Sequence, residues 1–429
     1  MTVKKHLIVA SYDGISTHYC GVGTIIRNTI QTLSDFAESK KIKVSLAYIS
    51  TAPNGTVFNL ACYKDSAALV EKTGGHLIPL CNGTFGLTES DMWKSFPQWE
   101  YACASLATSL NLILEDKDDN IVMLHDTPFL LFSKFKQQIF KENLRCFYLP
   151  HSSGLNHVFG KDEWRKERIQ RERNAFKLIQ SDKSSRLLSE GKNFGKHLAD
   201  AYGVSLADDQ YLTNGLYFDR YREGISKRYN NNDLKQFGID IKDDSRIIFS
   251  WGRSSIAKGL KELAEAWQDI AGKLSNYYLI IQAPNNSGEN DYYNLLRNYS
   301  QTIPNFFLID DFNPQIWQTV LRCENTDVVC IPSLMDPNPH TAIEAKLFSV
   351  GMNYVIIGSK TDGVKDTFSD SECFWVNPYD KKEFSDTIIC AVSLNKIERK
   401  RMSDSNSKSM PNFDYAHKFQ DFLKGINFI

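Results

Sequence analysis

Short apolar runs alternate with longer amphipathic stretches along almost the whole chain, and this alternation restricts the fold more than any other feature. Residues 6–10, 44–49, 121–124, 146–149, 247–251, 278–281, 305–309, 328–331 and 354–357 read as strands. Helical spacing appears between them, for instance at 24–39, 259–274, 291–300 and 314–323. Such an order predicts an α/β architecture of parallel sheets with crossover helices. At 429 residues the chain exceeds the size at which a single core keeps growing, so two domains are expected. The polar stretch 222–245, with Tyr229-Asn-Asn-Asn-Asp233 and Asp240-Ile-Lys-Asp-Asp244, is the expected boundary, because Ile247 opens a new strand and helix series. The expected division is 1–222 and 223–411. A second polar stretch, 395–411, precedes a closing amphipathic segment, 412–429, that completes the second domain or packs back on the first.

Charge narrows the function. Lys plus Arg (50) and Asp plus Glu (51) nearly cancel, which argues against a nucleic-acid or other polyanion partner. The nine cysteines are scattered and never form C-x-x-C, so reduced thiols in a cytoplasm are expected, with no disulfide framework and no zinc site. No apolar run reaches the ~18 residues that span a bilayer. The start of the chain reads as a first strand and not a signal peptide, since Asp13 soon interrupts its short apolar run. Membrane contact has one candidate, the mixed apolar and basic segment Phe129-Leu-Leu-Phe-Ser-Lys-Phe-Lys-Gln-Gln-Ile-Phe-Lys141. A helix packed on its own sheet explains that segment equally simply and is preferred.

Chemistry concentrates in the second half. Asp336-Pro-Asn-Pro-His-Thr-Ala-Ile-Glu344 follows a strand and places two carboxylates eight residues apart, the first on a Pro-rich loop and the second just inside a helix. Thr341 and Glu344 also spell a capping box, which alone would account for the second acid. Trp251-Gly-Arg-Ser-Ser-Ile-Ala-Lys-Gly259 joins another strand to a helix, and would put Arg253 and Lys258 where open α/β sheets bind ligands. A planar fork and a mobile ammonium together suit a diphosphate, and Gly252 and Gly259 flank them.

The first half is less explicit. Tyr19-Cys-Gly-Val-Gly-Thr-Ile-Ile-Arg-Asn28 sets Gly21 and Gly23 between the first strand and a helix, where backbone N–H groups face a ligand or merely turn tightly. It is a poor dinucleotide fingerprint, because Ile26 stands where the third glycine belongs. His125, before Asp126, and His151, in Leu149-Pro-His-Ser-Ser-Gly154, end strands and are candidates for sugar contacts or proton transfer. Trp93, Trp99, Trp164 and Tyr101 either stack on an acceptor or belong to the core. Asp116-Lys-Asp118 has the spelling of a metal-binding pair, but it lies in a polar turn and reads as solvated.

Taken in order, these segments resemble a retaining glycosyltransferase of the GT-B architecture, glycosyltransferase family 4. The likeness runs over nearly the whole chain: the glycine loop, the His151 turn, Thr213-Asn-Gly215, the Gly252-Arg253 to Lys258-Gly259 segment, and the acid-x7-acid motif. It implies two Rossmann-like parallel-sheet domains facing across a cleft, the first binding an acceptor and the second a nucleotide sugar. It implies transfer of a hexose or amino-hexose, from UDP more readily than GDP, to a hydroxyl of a small molecule or glycan, with retention and with no metal or cofactor. His151, Arg253, Lys258 and Asp336 would be catalytic. Gly21, Gly23, Asn214, Gly252, Pro339, His340, Thr341 and Glu344, with the two cations, would hold the donor, Glu344 at its ribose. His125 and Asp126 would meet the acceptor. Asp336 stands where Glu is frequent, Pro339-His340 where Gly and an apolar residue are frequent, and Cys20 where the glycine loop has its first Gly. A pseudo-glycosyltransferase, a phosphorylase or a non-catalytic nucleotide-sugar binder would use the same residues.

Overall fold

The computed structural model describes residues 4–18, 20–49, 58–83, 95–141, 143–156, 162–285, 290–311 and 313–429. They form two compact units: unit 1 is Met1–Tyr217 with Tyr415–Ile429, and unit 2 is Phe218–Asp414.

Unit 1 is built on β1 (Lys5–Ser11), β2 (Ile42–Ile49), β3 (Leu77–Leu80), β4 (Asp119–His125), β5 (Leu144–Leu149) and β6 (Ser185–Leu187). All pairs are parallel, in the order β3-β2-β1-β4-β5-β6. Leu7, Ile8, Val9 and Ala10 of β1 are wholly enclosed, because helices cover both faces of a parallel sheet. This explains why the central strands read as unbroken apolar runs. β1 and β4 lie side by side although the chain leaves them toward opposite edges, which makes their C-terminal ends a topological switch point. The helix Tyr415–Gly425 belongs to this unit: Tyr415, Phe419, Phe422 and Leu423 join its core, and Phe422 meets Phe147 of β5 at 5.5 Å.

Unit 2 repeats the scheme. Its strands are β7 (Arg246–Trp251), β8 (Tyr277–Gln282), β9 (Phe306–Ile309), β10 (Thr326–Ile331), β11 (Val355–Ser359) and β12 (Phe374–Val376), in the order β12-β11-β10-β7-β8-β9 and all parallel. The switch point here lies between β7 and β10.

Several segments differ from their sequence reading. The polar stretch 222–245 is not a loose boundary but is bonded into unit 2, which begins at Phe218: the Asn231 amide bonds the carbonyls of Lys242 and Ser245 at 2.7 and 2.9 Å. The polar stretch 395–411 is mostly a helix, Lys396–Ser409, opened by a capping box in which Asn395 accepts from the Ile397 and Glu398 N–H groups. Segment 129–141 is no continuous amphipathic helix. It is a succession of short turns whose Phe129, Leu130, Leu131 and Phe132 are buried in unit 1. Asp118 is buried, not solvated, while Asp116 is exposed. Among the described residues no helix is long and apolar enough to cross a membrane.

Candidate functional site

The loops that follow β7 and β10 lie against each other at the switch point of unit 2. After Trp251 the chain turns through Gly252, whose N–H donates to the Gln282 carbonyl at 3.0 Å, and reaches a tight turn, Ile256–Lys258. Gly259 then opens the helix Leu260–Ile270 with φ of 64°. A Cβ there would sit 1.9 Å from the Pro332 carbonyl oxygen, so only glycine permits this approach. The Leu334 N–H completes the junction by donating to Ala257 at 2.8 Å.

This packing brings the charges of Lys258, Asp336 and Glu344 together, with Arg253 on the same loop as Lys258. Lys258 and Asp336 form an ion pair whose side chains are 17% and 16% exposed. Arg253 is half-buried; its carbonyl accepts from the Ser255 N–H at 2.8 Å, while its guanidinium makes no ion pair or hydrogen bond with any described residue. Glu344 lies on the helix His340–Phe348 and accepts at Oε2 from the Trp251 indole at 3.0 Å. Burial raises its carboxyl to about 7, while the Trp251 bond and the charges of Arg220 and Lys258 pull it back.

The capping-box reading does not hold. Pro339 is the N-cap, with φ of −68° and ψ of 123°, so Thr341 lies inside the first turn and Glu344 turns to Trp251 instead. Pro339 itself supplies no capping side chain to the start of this helix. Its far end is anchored by buried Arg322, which donates to the Phe348 and Val350 carbonyls at 2.9 and 2.8 Å. One glycine escaped the sequence reading: a Cβ on Gly363 would lie 2.0 Å from the Asp336 carbonyl oxygen, so its bareness lets the Asp336 loop lie down. The available signal was a glycine shortly after the end of β11.

In unit 1 the strand ends bring His125, Asp126 and His151 together, with Glu190 as a partner that sequence reasoning missed. His151 Nδ1 is 2.7 Å from Glu190 Oε2, and its Nε2 is 3.2 Å from His125 Nδ1. Both ring nitrogens are therefore engaged within the unit. Burial opposes a charge on His151, yet the Glu190 carboxylate, its hydrogen bond and Asp126 outweigh it and raise the proton affinity. His125, fully enclosed, is held well below the usual imidazole range by burial and then by His151. Asp126, at φ of 72°, accepts from the Thr127 and His151 N–H groups at 2.7 and 3.2 Å. Asn214 donates to Glu190 at 3.2 Å.

Beneath the His151 turn lies a second buried pair, Arg168 and Glu172 at 2.7 Å, which bonds Thr127, Ser152 and Gly154. Its charges are compensated by partners on every side. The glycine loop is occupied by its own chain: Asp13 accepts from Gly14, Thr17 and Cys20, and a Cβ on Gly23 would fall 2.3 Å from Asp13 Oδ2. Gly21 is the first residue of the helix Gly21–Phe36.

The structure thus groups Gly252, Arg253, Lys258, Asp336, Pro339, His340, Thr341 and Glu344 in unit 2, and His125, Asp126, His151 and Asn214 in unit 1. Trp99 is core, and Trp164 stacks on Phe96 at 5.2 Å. Tyr101 is exposed, and Trp93 lies outside the described residues.

Three comparisons bear on this arrangement. A protein-family model described as "Glycosyl transferases group 1" matches residues 231–409. No curated protein sequence matches the chain. Solved structures do match over its length. Sucrose-phosphate synthase from Thermosynechococcus elongatus superposes with a TM-score of 0.71 at 12% identity, covering 99% of each chain. A structure described as "Trehalose-6-phosphate from E. coli bound with UDP-2-fluoro glucose" gives 0.70 at 16%, again covering 99% of each. The N-terminal domain of Candida albicans trehalose-6-phosphate phosphatase gives 0.72 at 14%, covering 99% of this chain and 97% of that one. Identities so low establish the fold alone.

Proposed function

We propose that this GT-B chain, with its glycosyl transferases group 1 domain at residues 231–409, moves a hexose or amino-hexose from a nucleoside diphosphate sugar to an acceptor hydroxyl with retention. The observation that carries the reading is the switch point of unit 2, where Lys258, Asp336 and Glu344 meet beside the start of the helix His340–Phe348, with Arg253 on the same loop as Lys258. Arg253 and Lys258 suit the diphosphate, as does the positive end of the helix His340–Phe348; Pro339 has no N–H to offer. Asp336 is suited to sugar hydroxyls and Glu344 to the ribose. Uridine is the favoured base, in keeping with the UDP-2-fluoro glucose named for one structural neighbour.

In the proposed step the acceptor oxygen bonds to the anomeric carbon on the face from which the diphosphate departs. The bond from that carbon to the phosphate oxygen breaks, and the departing oxygen takes the acceptor's proton. The two cations offset the charge growing on the phosphate, so the chain's own side chains do what a metal does elsewhere. In unit 1 Glu190 and His125 hold the His151 ring, and enclosed His125 and Asp126 are read as its supports.

Release of nucleoside diphosphate from a panel of UDP- and GDP-sugars, with and without sugar acceptors, tests the reading. Lys258→Ala should lower turnover roughly 10²- to 10³-fold, on the order of 3 to 4 kcal/mol of barrier, with thermal unfolding unchanged. Near-normal turnover would sink the assignment. Donor binding with no release under any condition would point to a non-catalytic binder.

A further inference from the structure

Three rings are stacked beneath the loops of unit 2. Phe249 and Trp251 lie 5.3 Å apart at 10°, and Trp251 and Trp317 lie 5.8 Å apart at 8°. Phe348, one helical turn beyond Glu344, meets Trp317 edge-on at 5.1 Å. The stack fixes the plane of the Trp251 indole, and the indole has a single donor. That donor is spent on Glu344 Oε2 at 3.0 Å. Oε1 has no hydrogen-bond partner among the described residues, so one oxygen of the carboxylate is tied down and the other is open.

The surroundings make this carboxylate sensitive to its one anchor. Burial raises its proton affinity to about 7, and the indole bond, then Arg220, then Lys258 lower it. Arg220 lies on the turn Phe218–Tyr221 and is exposed, so its charge is screened by solvent. Lys258 is shared with Asp336. Tyr221, whose ring packs on Trp317 and Phe348, is enclosed; burial and then Glu344 push its phenol well up, which leaves it a neutral neighbour. Of the groups that favour the ionised form, the indole N–H is the one in direct contact.

We propose that Trp251 is the positioning residue of Glu344: its N–H anchors one oxygen and keeps the other, ionised, for the vicinal hydroxyls of the donor's ribose, so that donor binding requires this one carboxylate to be ionised. The proposal rests on the function given above. Two adjacent hydroxyls are donors to which an ionised carboxylate makes the stronger, charge-assisted bonds, whereas a protonated one forfeits an acceptor.

The test is a calorimetric titration of UDP-glucose, with GDP-mannose as the second base, across pH 5.5 to 8.5. The diphosphate of either sugar nucleotide is doubly esterified and does not titrate in that range. Protonation removes the ribose contact, so wild-type Kd should rise as pH falls through the carboxyl's own range, by about tenfold between pH 8 and pH 6. Trp251→Phe keeps a ring in the stack and loses the N–H, which raises the carboxyl further. Its binding midpoint should move up by about one pH unit, leaving affinity weak at pH 7 and largely recovered at pH 8.5. A purely structural role for the indole would not be rescued by alkali. Glu344→Gln should bind weakly with no pH dependence, which assigns the wild-type slope to Glu344; if Trp251→Phe fails to fold, Trp251→Leu, which also lacks the N–H, takes its place. A flat wild-type curve, or a Trp251→Phe curve that overlies it, overturns the role of Trp251 alone. Wild-type protein that binds neither sugar nucleotide at any pH overturns the proposed function and this role together.

Discussion

Lys258 and Asp336 neutralise one another inside unit 2, whereas Arg253, only residues away, has no counter-ion among the described residues. A diphosphate bound as proposed would have one cation at hand and would compete with a carboxylate for the other. Asp336→Asn removes the competitor, so the affinity for free nucleoside diphosphate should rise, roughly three- to tenfold for a pair of this exposure. Turnover with the intact donor should fall, because the same side chain is read as the sugar's partner. Calorimetry with UDP and a release assay would show the two effects moving in opposite directions; a parallel loss of both would mean that Asp336 merely holds the loop. These residue identities were legible because local spacing carries them: strand, glycine, cation, cation, glycine, and two acids eight apart. Their partners were not. Glu190 is 39 positions from His151, and Trp251 is 93 from Glu344. Each pair meets only because two strands of one sheet end side by side.

Elements were readable where they were long and periodic. The strands around β1 and β7 were found, but β6 and β12 have only three residues, and the four of β3 include Pro79, which speaks against a strand. Helix Lys396–Ser409 was hidden by its polarity. It is held by a capping box and by buried Arg399, whose guanidinium bonds the carbonyls of Asp327, Ala391 and Val392 at 2.9 to 3.0 Å. Apolar periodicity cannot report a helix secured by polar bonds. The start of helix His340–Phe348 was hidden for a related reason: Thr341-Ala-Ile-Glu344 has the letters of a capping box, and only the N-cap at Pro339 shows that it is not one. The junction of the two loops in unit 2 gives a prediction at this scale. Gly259→Ala forces a left-handed backbone on alanine and drives its Cβ into Pro332, so unit 2 should lose about 2 to 4 kcal/mol of stability. Denaturant unfolding followed by tryptophan fluorescence would measure it, and a loss under 1 kcal/mol would refute the close approach.

At the scale of the molecule, the alternation of strands and helices foretold parallel α/β sheets but not their order. Strand order depends on which crossover goes left and which right, and neither sheet's sequence encodes this locally. Both sheets nevertheless adopt one order, with the switch point between the first and fourth strands of each, where open sheets receive ligands. The division into units is also not sequential, since the closing helix returns to unit 1. A chain ending at Asp414 should lose Tyr415, Phe419, Phe422, Leu423 and Phe428 from that core. At about 1.5 to 3 kcal/mol for each large apolar side chain, the loss rivals the whole stability of a domain. Hydrogen exchange should then show β1, β4 and β5 unprotected while β7, β8 and β10 keep their protection.

The return of Tyr415–Ile429 to unit 1 also sets a timetable for biosynthesis. Unit 2 is an insertion in the middle of unit 1, so everything from Phe218 to Asp414 must be translated before the last piece of the first core exists. At about 5 to 20 residues per second that is a wait on the order of ten to forty seconds. The half of the molecule that is made first is therefore the half that finishes folding last. During that interval β5 presents Phe147 without Phe422, an apolar surface that a ribosome-bound chaperone would be the first to meet.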